Sequence, residues 1–183
     1  PDINLRKAIA YAFDYDALLA ITNGFAPLMT SPFPASMAGH IDVPGIPRKD
    51  VDKARDFLKR SGTPNGGIEL EYVHVQGLEE ARRVGLVLLD SLRALDIKVN
   101  IVGQPWTTMT SRGSKPDTAP NMMSIYVTPV GTDPDTVAYQ YHRASWGLYY
   151  GTAHYDNPEV SRWIDEARAE TDNAKRMALY ARI

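Results

Sequence analysis

Residues 66–102 carry the pattern that most constrains the fold of this 183-residue chain. Residues 68–75 alternate apolar and polar side chains, residues 78–95 carry an apolar stripe of helical period, and residues 97–102 alternate again. A strand, a helix of about five turns and a second strand form a βαβ unit, whose right-handed crossover implies a parallel sheet. Ligands of such sheets bind at the carboxyl ends of the strands. We therefore expect functional residues in the loops after Val75, Val102 and Val127.

Helix start signals occur on both sides of this unit. An Asp or Asn at the N-cap, followed in two cases by a proline at the first helical position, predicts four helices. Apolar spacing predicts further helices over residues 50–60 and 106–112, and a last helix that opens at residues 171–173. The four capping residues are Asp2, Asp14, Asp133 and Asn157.

Two further segments complete the expected organisation. Residues 121–128 alternate as a third strand, with Met123, Ile125 and Val127 on one face. Residues 23–49 are rich in proline and glycine but retain large apolar side chains, unlike a flexible linker. This segment is long for a structureless loop, so we expect an ordered irregular excursion with a short edge strand near residues 28–33.

The composition excludes several classes of protein. Lys and Arg number 20 against 22 Asp and Glu, so the chain lacks the basic surplus of a nucleic-acid-binding domain. No apolar run approaches the ~20 residues of a membrane span. The absence of cysteine removes disulfides, thiolate catalysis and cysteine-zinc sites, but it fits an oxidising compartment as well as a reducing one.

Motifs for catalysis and cofactor binding are missing from the sequence. It has no GxSxG elbow, no Walker loop, no GxGxxG and no complete calcium loop. Its four histidines do not have the spacing of metal ligands, and most carboxylates fall on helix faces expected to be solvated. We therefore expect no metal, no cofactor and no catalytic activity.

Four segments, in their order and spacing, resemble the extracellular solute-binding proteins of family 5, the oligopeptide-, dipeptide- and nickel-binding receptors of ABC importers. The resemblance covers nearly the whole chain. The segments are NLRKAIAYAFDYD at residues 4–16, KARDFLKRSG at residues 53–62 with Pro64-Asn65-Gly66, LRALDIKVNI at residues 92–101, and YDNPEV at residues 155–160 with DEA at residues 165–167.

The resemblance implies an α/β fold: one lobe of a two-lobed, type II periplasmic-binding-protein-like receptor, with a mostly parallel sheet flanked by helices. Family members are far longer, so residues 1–183 would be a single carboxyl-proximal lobe without the other lobe or the final C-terminal segment. The opening at Pro1-Asp2 without Met, and the stop within a helical pattern, favour the same interpretation.

The function implied is the capture of a peptide or other small solute in an interlobe cleft, followed by delivery to a membrane permease. The intact protein would be a monomer that binds no nucleic acid, periplasmic or extracellular, and held at the membrane by a lipid anchor or by its permease. An α/β enzyme or a ligand-sensing domain with the same lobe is the alternative. Peptide, sugar-like solute and metal chelate remain open as ligands.

The resemblance also locates a candidate ligand loop. In peptide-binding members, the strand before the Asp-Pro pair carries a Trp and, three residues on, an Asp that pairs with the amino terminus of the peptide. Counting back from Asp133-Pro134, these positions are Val127 and Val130. Because both are apolar, neither role transfers, and the change favours another ligand or a different anchoring group.

The rest of that loop still suits ligand contact. Thr128 and Thr132 offer hydroxyl groups, Pro129 lies between the two valines, and Gly131 permits close approach of the backbone. The alternative is an ordinary strand-to-helix turn. We expect Asp133 to serve as a cap rather than as a ligand contact.

Three residues elsewhere complete the candidate site. His74 lies at the carboxyl end of the first strand, where it would contact a ligand or form a hydrogen bond at the sheet edge. Trp106 follows the second strand and would line the cleft or pack on the core. Arg143 is the candidate for binding an anionic group. It lies in an aromatic-rich stretch, residues 139–155, that would stack on ligands or pack beneath a long loop.

Overall fold

A computed structural model describes residues 2–183, which divide into two compact units. Unit 1 comprises the residues up to Leu28 together with Gly45–Met109 and Pro120–Ser124. Unit 2 comprises Met29–Pro44, Thr110–Ala119 and Ile125–Ile183. None of the helices within residues 2–183 combines the length and the apolarity needed to cross a bilayer.

Unit 1 is built on a parallel sheet, as the sequence predicts. Strands β1 (Ile68–Val75), β2 (Ile97–Gln104) and β3 (Met122–Met123) lie in the order β2-β1-β3. Strands β1 and β2 pair over their full length, so both end at the same edge of the sheet. Strand β3 pairs with β1 over only two residues.

The expectation of a third strand through residue 128 is therefore wrong beyond Met123. The Ser124 amide still donates to the Val73 carbonyl at 3.0 Å. The chain then leaves β1 and enters unit 2, so the alternating residues that follow do not extend the ladder. The expected edge strand near residues 28–33 is also wrong. Residues 30–33 form bends, and Pro32 and the nearby Pro34 have no N–H to give to a ladder.

Four helices flank or precede the sheet of unit 1, and aspartates cap three of them. Asp2, Asp14 and Asp50 each accept hydrogen bonds from first-turn amides. The fourth helix has no side-chain cap and ends in a single 3-10 turn, after which Asp96 adopts a left-handed φ of 53° and leads into β2. The four helices are α1 (Ile3–Ala12), α2 (Tyr15–Ile21), α3 (Val51–Lys59) and α4 (Glu79–Leu92).

The core of unit 1 depends on a close approach between α4 and β1. The Tyr72 ring lies under Gly85, where an added methyl group would stand 2.7 Å from its Cε1 atom and 3.1 Å from the Ile101 Cγ2 atom. The Tyr72 hydroxyl donates to the Ala81 carbonyl at 2.7 Å, which fixes the ring against the helix. The surrounding core residues include Ala8, Ala54, Leu70, Leu88, Leu92 and Ile97.

Unit 2 has its own core, made by helices around a fully buried tyrosine. Tyr180 meets the Phe33 ring edge-to-face at 6.2 Å. Its hydroxyl accepts from Arg176 at 3.1 Å and lies 3.4 Å from an Asp135 carboxylate oxygen. In chain order the next helix is α5 (Trp106–Gly113), of which residues 106–109 belong to unit 1 and the rest to unit 2. The helices that follow are α6 (Asp135–Ala138), α7 (Pro158–Ala169) and α8 (Asn173–Tyr180).

Replacement of Gly85 by Ala should lower the free energy of unfolding, because the new methyl collides with a ring held by its own hydrogen bond, at a cost of about 1–3 kcal/mol. The ~1 kcal/mol that alanine gains over glycine in a helix offsets part of this cost, so we expect a net loss of up to about 2 kcal/mol. Urea denaturation measures the change. Gly131→Ala is the control, since no atom lies within 4 Å of its added methyl. Equal stability of the two variants would contradict the packing described.

The Tyr180 phenol should make unit 2 sensitive to alkali. Burial, aided by the charge of Asp135, raises the pKa of Tyr180 from 10.0 to about 12. A raised pKa in the folded state means that stability is present below pH 10 and is lost as the pH rises towards 12, by an amount on the order of 2 kcal/mol. Denaturation at a series of alkaline pH values should show a steeper loss for the unmodified protein than for Tyr180→Phe.

Candidate functional site

The carboxyl ends of β1 and β2 border an open concavity of about 500 Å³ in unit 1. This is the edge of the sheet at which the sequence predicts ligand contact. The concavity is formed by the ends of the two strands, by the turn that follows β1 and by the start of α4. Its lining residues are His74, Gln76, Gly77, Arg82, Ile101 and Gly103.

His74 contributes a nitrogen atom to this concavity. The side chain is only 6% exposed, and its Nδ1 atom lies 3.0 Å from the Val75 carbonyl oxygen. Because a carbonyl oxygen only accepts, Nδ1 carries the proton, and Nε2 has no hydrogen-bond partner within residues 2–183. Gly103 stands opposite His74 on β2, and a methyl there would come within 3.5 Å of Nε2. A side chain at position 103 would therefore lie in van der Waals contact with the His74 ring.

Arg82 places a guanidinium at the same concavity. Its Nε and Nη2 atoms donate to the two carboxylate oxygens of Glu79, at 2.8 and 2.7 Å. These bonds lower the pKa of Glu79, so the pair stays ionised at neutral pH. Both side chains are about half exposed. Since water screens such a pair, the guanidinium remains available to an incoming anion.

The first turn of α4 carries charges of both signs, because its carboxylates Glu79 and Glu80 oppose the positive field of its amides. Leu78 occupies the N-cap position and supplies no side-chain hydrogen bond to the first-turn amides. Uncapped amides at a helix N-terminus carry a partial positive charge. Arg82 suits a ligand that offers carboxylate or other acceptor oxygens, whereas Nε2 of His74, which carries no proton, accepts a hydrogen bond from a ligand donor.

Trp106 begins α5, immediately after β2 and Pro105. Its ring is 42% exposed, whereas Met109, one turn later, is fully buried. The helix therefore packs on the core through Met109, and part of the Trp106 ring stays exposed to solvent. Its predicted role as a ligand contact stays a prediction.

The candidate ligand loop, residues 127–132, presents apolar and hydroxyl groups to solvent. Val130 is 94% exposed, which is unusual for an apolar side chain, and Gly131 has no atom within 4 Å of its missing methyl. Thr128 and Thr132 are exposed, while Val127 and Pro129 are half-buried. The loop carries no charged side chain, so any ligand group it contacts meets a neutral surface.

Asp133 ends this loop in a fixed arrangement. One carboxylate oxygen accepts from the Asp135 amide at 2.9 Å. The sequence predicts Asp133 at the N-cap, but α6 begins one residue later, at Asp135, and Pro134 occupies its N-cap position. Both oxygens also accept from Arg176, at 2.8 Å each. These two hydrogen bonds hold the pKa of Asp133 below its usual range and raise the pKa of Arg176. The carboxylate that adjoins the loop is therefore already neutralised by a cation.

Arg143 lies in a set of aromatic and ionic contacts. Its guanidinium pairs with the Asp156 carboxylate and lies 3.8 Å from the centre of the Trp146 ring. The Trp146 indole N–H donates to the Tyr155 carbonyl at 2.9 Å. An anionic ligand would therefore compete with Asp156 for the Arg143 guanidinium. The predicted role of Arg143 in binding such a ligand stays a prediction.

Of the residues that line the concavity, only His74 is predicted from the sequence; the others are Gln76, Gly77, Arg82, Ile101 and Gly103. The signal for Arg82 was present, because side chains in the first turns of a helix point back towards its N-terminus and hence towards the preceding strand end. Within residues 2–183, no cluster of three or more His, Asp or Glu side chains is arranged to hold a metal ion.

Comparison with known proteins gives a family match over most of the chain. Residues 1–148 match the family described as bacterial extracellular solute-binding proteins, family 5 Middle. A relative is the glutathione-binding protein GsiB of Pectobacterium atrosepticum, 26% identical over 182 residues. That alignment covers 96% of this chain and 35% of GsiB, so the chain spans about a third of its relative's length.

Solved structures share the same fold. The periplasmic binding protein DppA of Helicobacter pylori, in complex with the peptide STSA, has a TM-score of 0.83 at 24% identity, covering 98% of this chain and 35% of DppA. AgaA of A. tumefaciens R10, in complex with agropinic acid, has a TM-score of 0.82 at 22% identity, covering 98% of this chain and 37% of AgaA. The predicted type II periplasmic-binding-protein-like α/β fold is confirmed.

Proposed function

This chain belongs to family 5 of the bacterial extracellular solute-binding proteins, and from that membership we propose that the protein is the substrate-binding component of an ABC importer. In this proposal, residues 1–183 form one lobe of a two-lobed receptor. The chain spans about a third of the length of its relatives, which leaves room for a second lobe. The family is extracellular; a lipid anchor and a monomeric state are further parts of the proposal.

The mechanism we propose is capture by closure. A solute binds in the cleft between the two lobes, the lobes close about a hinge, and the closed form docks on the membrane permease. Closure needs contacts that the solute makes only in the closed state, since a ligand shifts an equilibrium by its differential affinity for the two states. The proposal involves binding without chemical conversion of the solute.

The concavity at the carboxyl edge of β1 and β2 is the observation that carries this proposal. It joins the unprotonated nitrogen of His74, a hydrogen-bond acceptor, with the guanidinium of Arg82 and with Gly103. These groups hold a polar or anionic moiety without needing to alter it. Such a set of few polar groups in a preformed depression is typical of a small-molecule site.

The neutral candidate ligand loop narrows the class of solute. A free ammonium group, such as the amino terminus of a peptide, requires a carboxylate that is not otherwise engaged. Asp133 is bound to Arg176, and Val130 is apolar. We therefore propose that the part of the solute in contact with this loop is uncharged. The bound ligands in the DppA and AgaA structures, a peptide and agropinic acid, are both solute types that the experiment below would distinguish.

Native mass spectrometry of the full-length protein, purified without denaturant, tests the function. We expect a retained small molecule released at higher collision energy. A ladder of peptide masses would identify a peptide receptor that anchors its ligand without an acid at Val130. A single non-peptide mass would identify another solute. If the purified protein retains no small molecule, it is incubated with glutathione and with a tripeptide library, and the spectrum is recorded again.

Two outcomes would count against the proposal. The first is a protein that neither retains a small molecule nor captures glutathione or any tripeptide. The second is release of a chemically altered form of a supplied solute, which would favour the α/β enzyme instead. The same spectra therefore separate binding from catalysis.

Arg82→Gln should weaken solute binding about tenfold, because a charged hydrogen-bond donor at the concavity is lost. Arg83→Gln is a matched control, since Arg83 lies next in sequence and also approaches Glu79, at 3.6 Å, but does not line the concavity. The occupied fraction in the native mass spectrum measures both. An equal loss of occupancy in the two variants would show that the concavity is not a solute contact.

A further inference from the structure

The Arg176 guanidinium is fixed by unit 2 independently of the carboxylate that it binds. Its Nε atom donates to the Ala167 carbonyl in the last turn of α7, at 3.1 Å. Its Nη2 atom donates to the hydroxyl of Tyr180, whose side chain is fully buried. The Arg176 side chain itself is only 21% exposed. The cation that meets Asp133 is therefore part of the folded framework of α7 and α8.

The backbone at Asp133 is immobilised from the other side. Its carbonyl accepts from the Thr136 amide at 3.1 Å and from the Thr136 hydroxyl at 2.7 Å. Pro134, the next residue, has a fully buried ring and a fixed φ. Together with the bidentate pair to Arg176, these contacts hold the chain directly after Thr132 in one position.

The candidate ligand loop begins where this support ends. Val130 is almost completely exposed, and Gly131 has open space around it, so neither is held by packing. Residues that must meet a ligand gain affinity when they are ordered beforehand, because binding then costs less conformational entropy. Because Asp133 is held in one position, it restricts the backbone conformations available to Gly131 and Thr132.

We propose that Arg176 is a positioning residue for solute binding: through its bidentate pair with Asp133 it holds the candidate ligand loop in its binding conformation before the solute arrives. In this proposal Arg176 acts on the loop through Asp133 and touches no solute. The consequence for affinity rests on the proposed function. The ordering of the loop by Arg176 does not depend on the proposed function, so an experiment can contradict either one without the other.

A nitroxide label at position 130 tests the ordering directly. Residues 1–183 contain no cysteine, so Val130→Cys gives a labelling site at the exposed apex of the loop. The label is recorded by electron paramagnetic resonance on the full-length protein, dialysed free of solute. We expect Arg176→Gln to shorten the rotational correlation time of the label at least about twofold, since the loop loses its fixed end.

Arg168→Gln is the matched control. Arg168 forms the neighbouring ion pair in unit 2, with Asp135 at 3.4 Å rather than with Asp133. This variant should leave the label as immobile as in the unmodified protein. An unchanged spectrum in Arg176→Gln, or an equal gain of mobility in both variants, overturns the proposal.

A second variant protects the test against a general loss of folding. Asp133→Asn keeps a side-chain oxygen that can accept from the Asp135 amide, but it removes the ion pair with Arg176. It should mobilise the label as Arg176→Gln does, and the double variant should add nothing, because both changes break one interaction. Additive effects in the double variant would overturn the proposal. Thermal denaturation of each variant confirms that the labelled protein is folded.

Discussion

The parallel pairing of β1 with β2 is the interaction on which unit 1 depends. It runs for eight residues in register, so Val75 and Gln104 end at the same edge and His74 faces Gly103. One residue of slip would exchange the two faces of β2 and bring a side chain against the His74 ring. The helix between the strands must then cross back over the sheet, and Gly85 allows it to come close enough for the Tyr72 ring to be enclosed. The concavity follows from this register, because strand ends and helix start are brought to one edge.

Those elements were predictable because their signals are local. Residues close together in the sequence determine the βαβ unit, the N-caps at Asp2 and Asp14, and the start of α7 at a proline. The strand expected through residue 128 failed for the opposite reason. An alternating pattern shows that a segment can form a strand, but a partner elsewhere in the chain decides whether it does. After Ser124 the chain has left β1, and the pattern that predicted a strand instead leads into a loop with Val130 exposed.

In the candidate site, too, features set by neighbouring residues were predictable and long-range contacts were not. His74 lies at the carboxyl end of β1, as the sequence predicts. Asp133 accepts from the Asp135 amide, but α6 begins one residue later than the Asp-Pro pair predicts. The partners of the charged residues were not predictable. Asp133 and Arg176 are separated by 43 residues, and nothing in the spacing of either links them. Long-range ion pairs depend on how helices pack against one another. The apolar pattern of a helix indicates which of its faces is buried, but not which residue of another helix lies opposite.

Two arginines show how burial separates a binding group from a positioning group. Arg82 and Arg176 each form a bidentate pair with a carboxylate, at nearly the same distances. The pair of Arg82 is about half exposed, so its strength is of order 0–1 kcal/mol and a solute anion can displace Glu79 at small cost. Arg176 has two further bonds to the framework and little exposure, so releasing Asp133 would leave a poorly solvated cation. In the proposed function, the arginine at the concavity of unit 1 exchanges its carboxylate partner for the solute, whereas the arginine beside the loop of unit 2 keeps its partner.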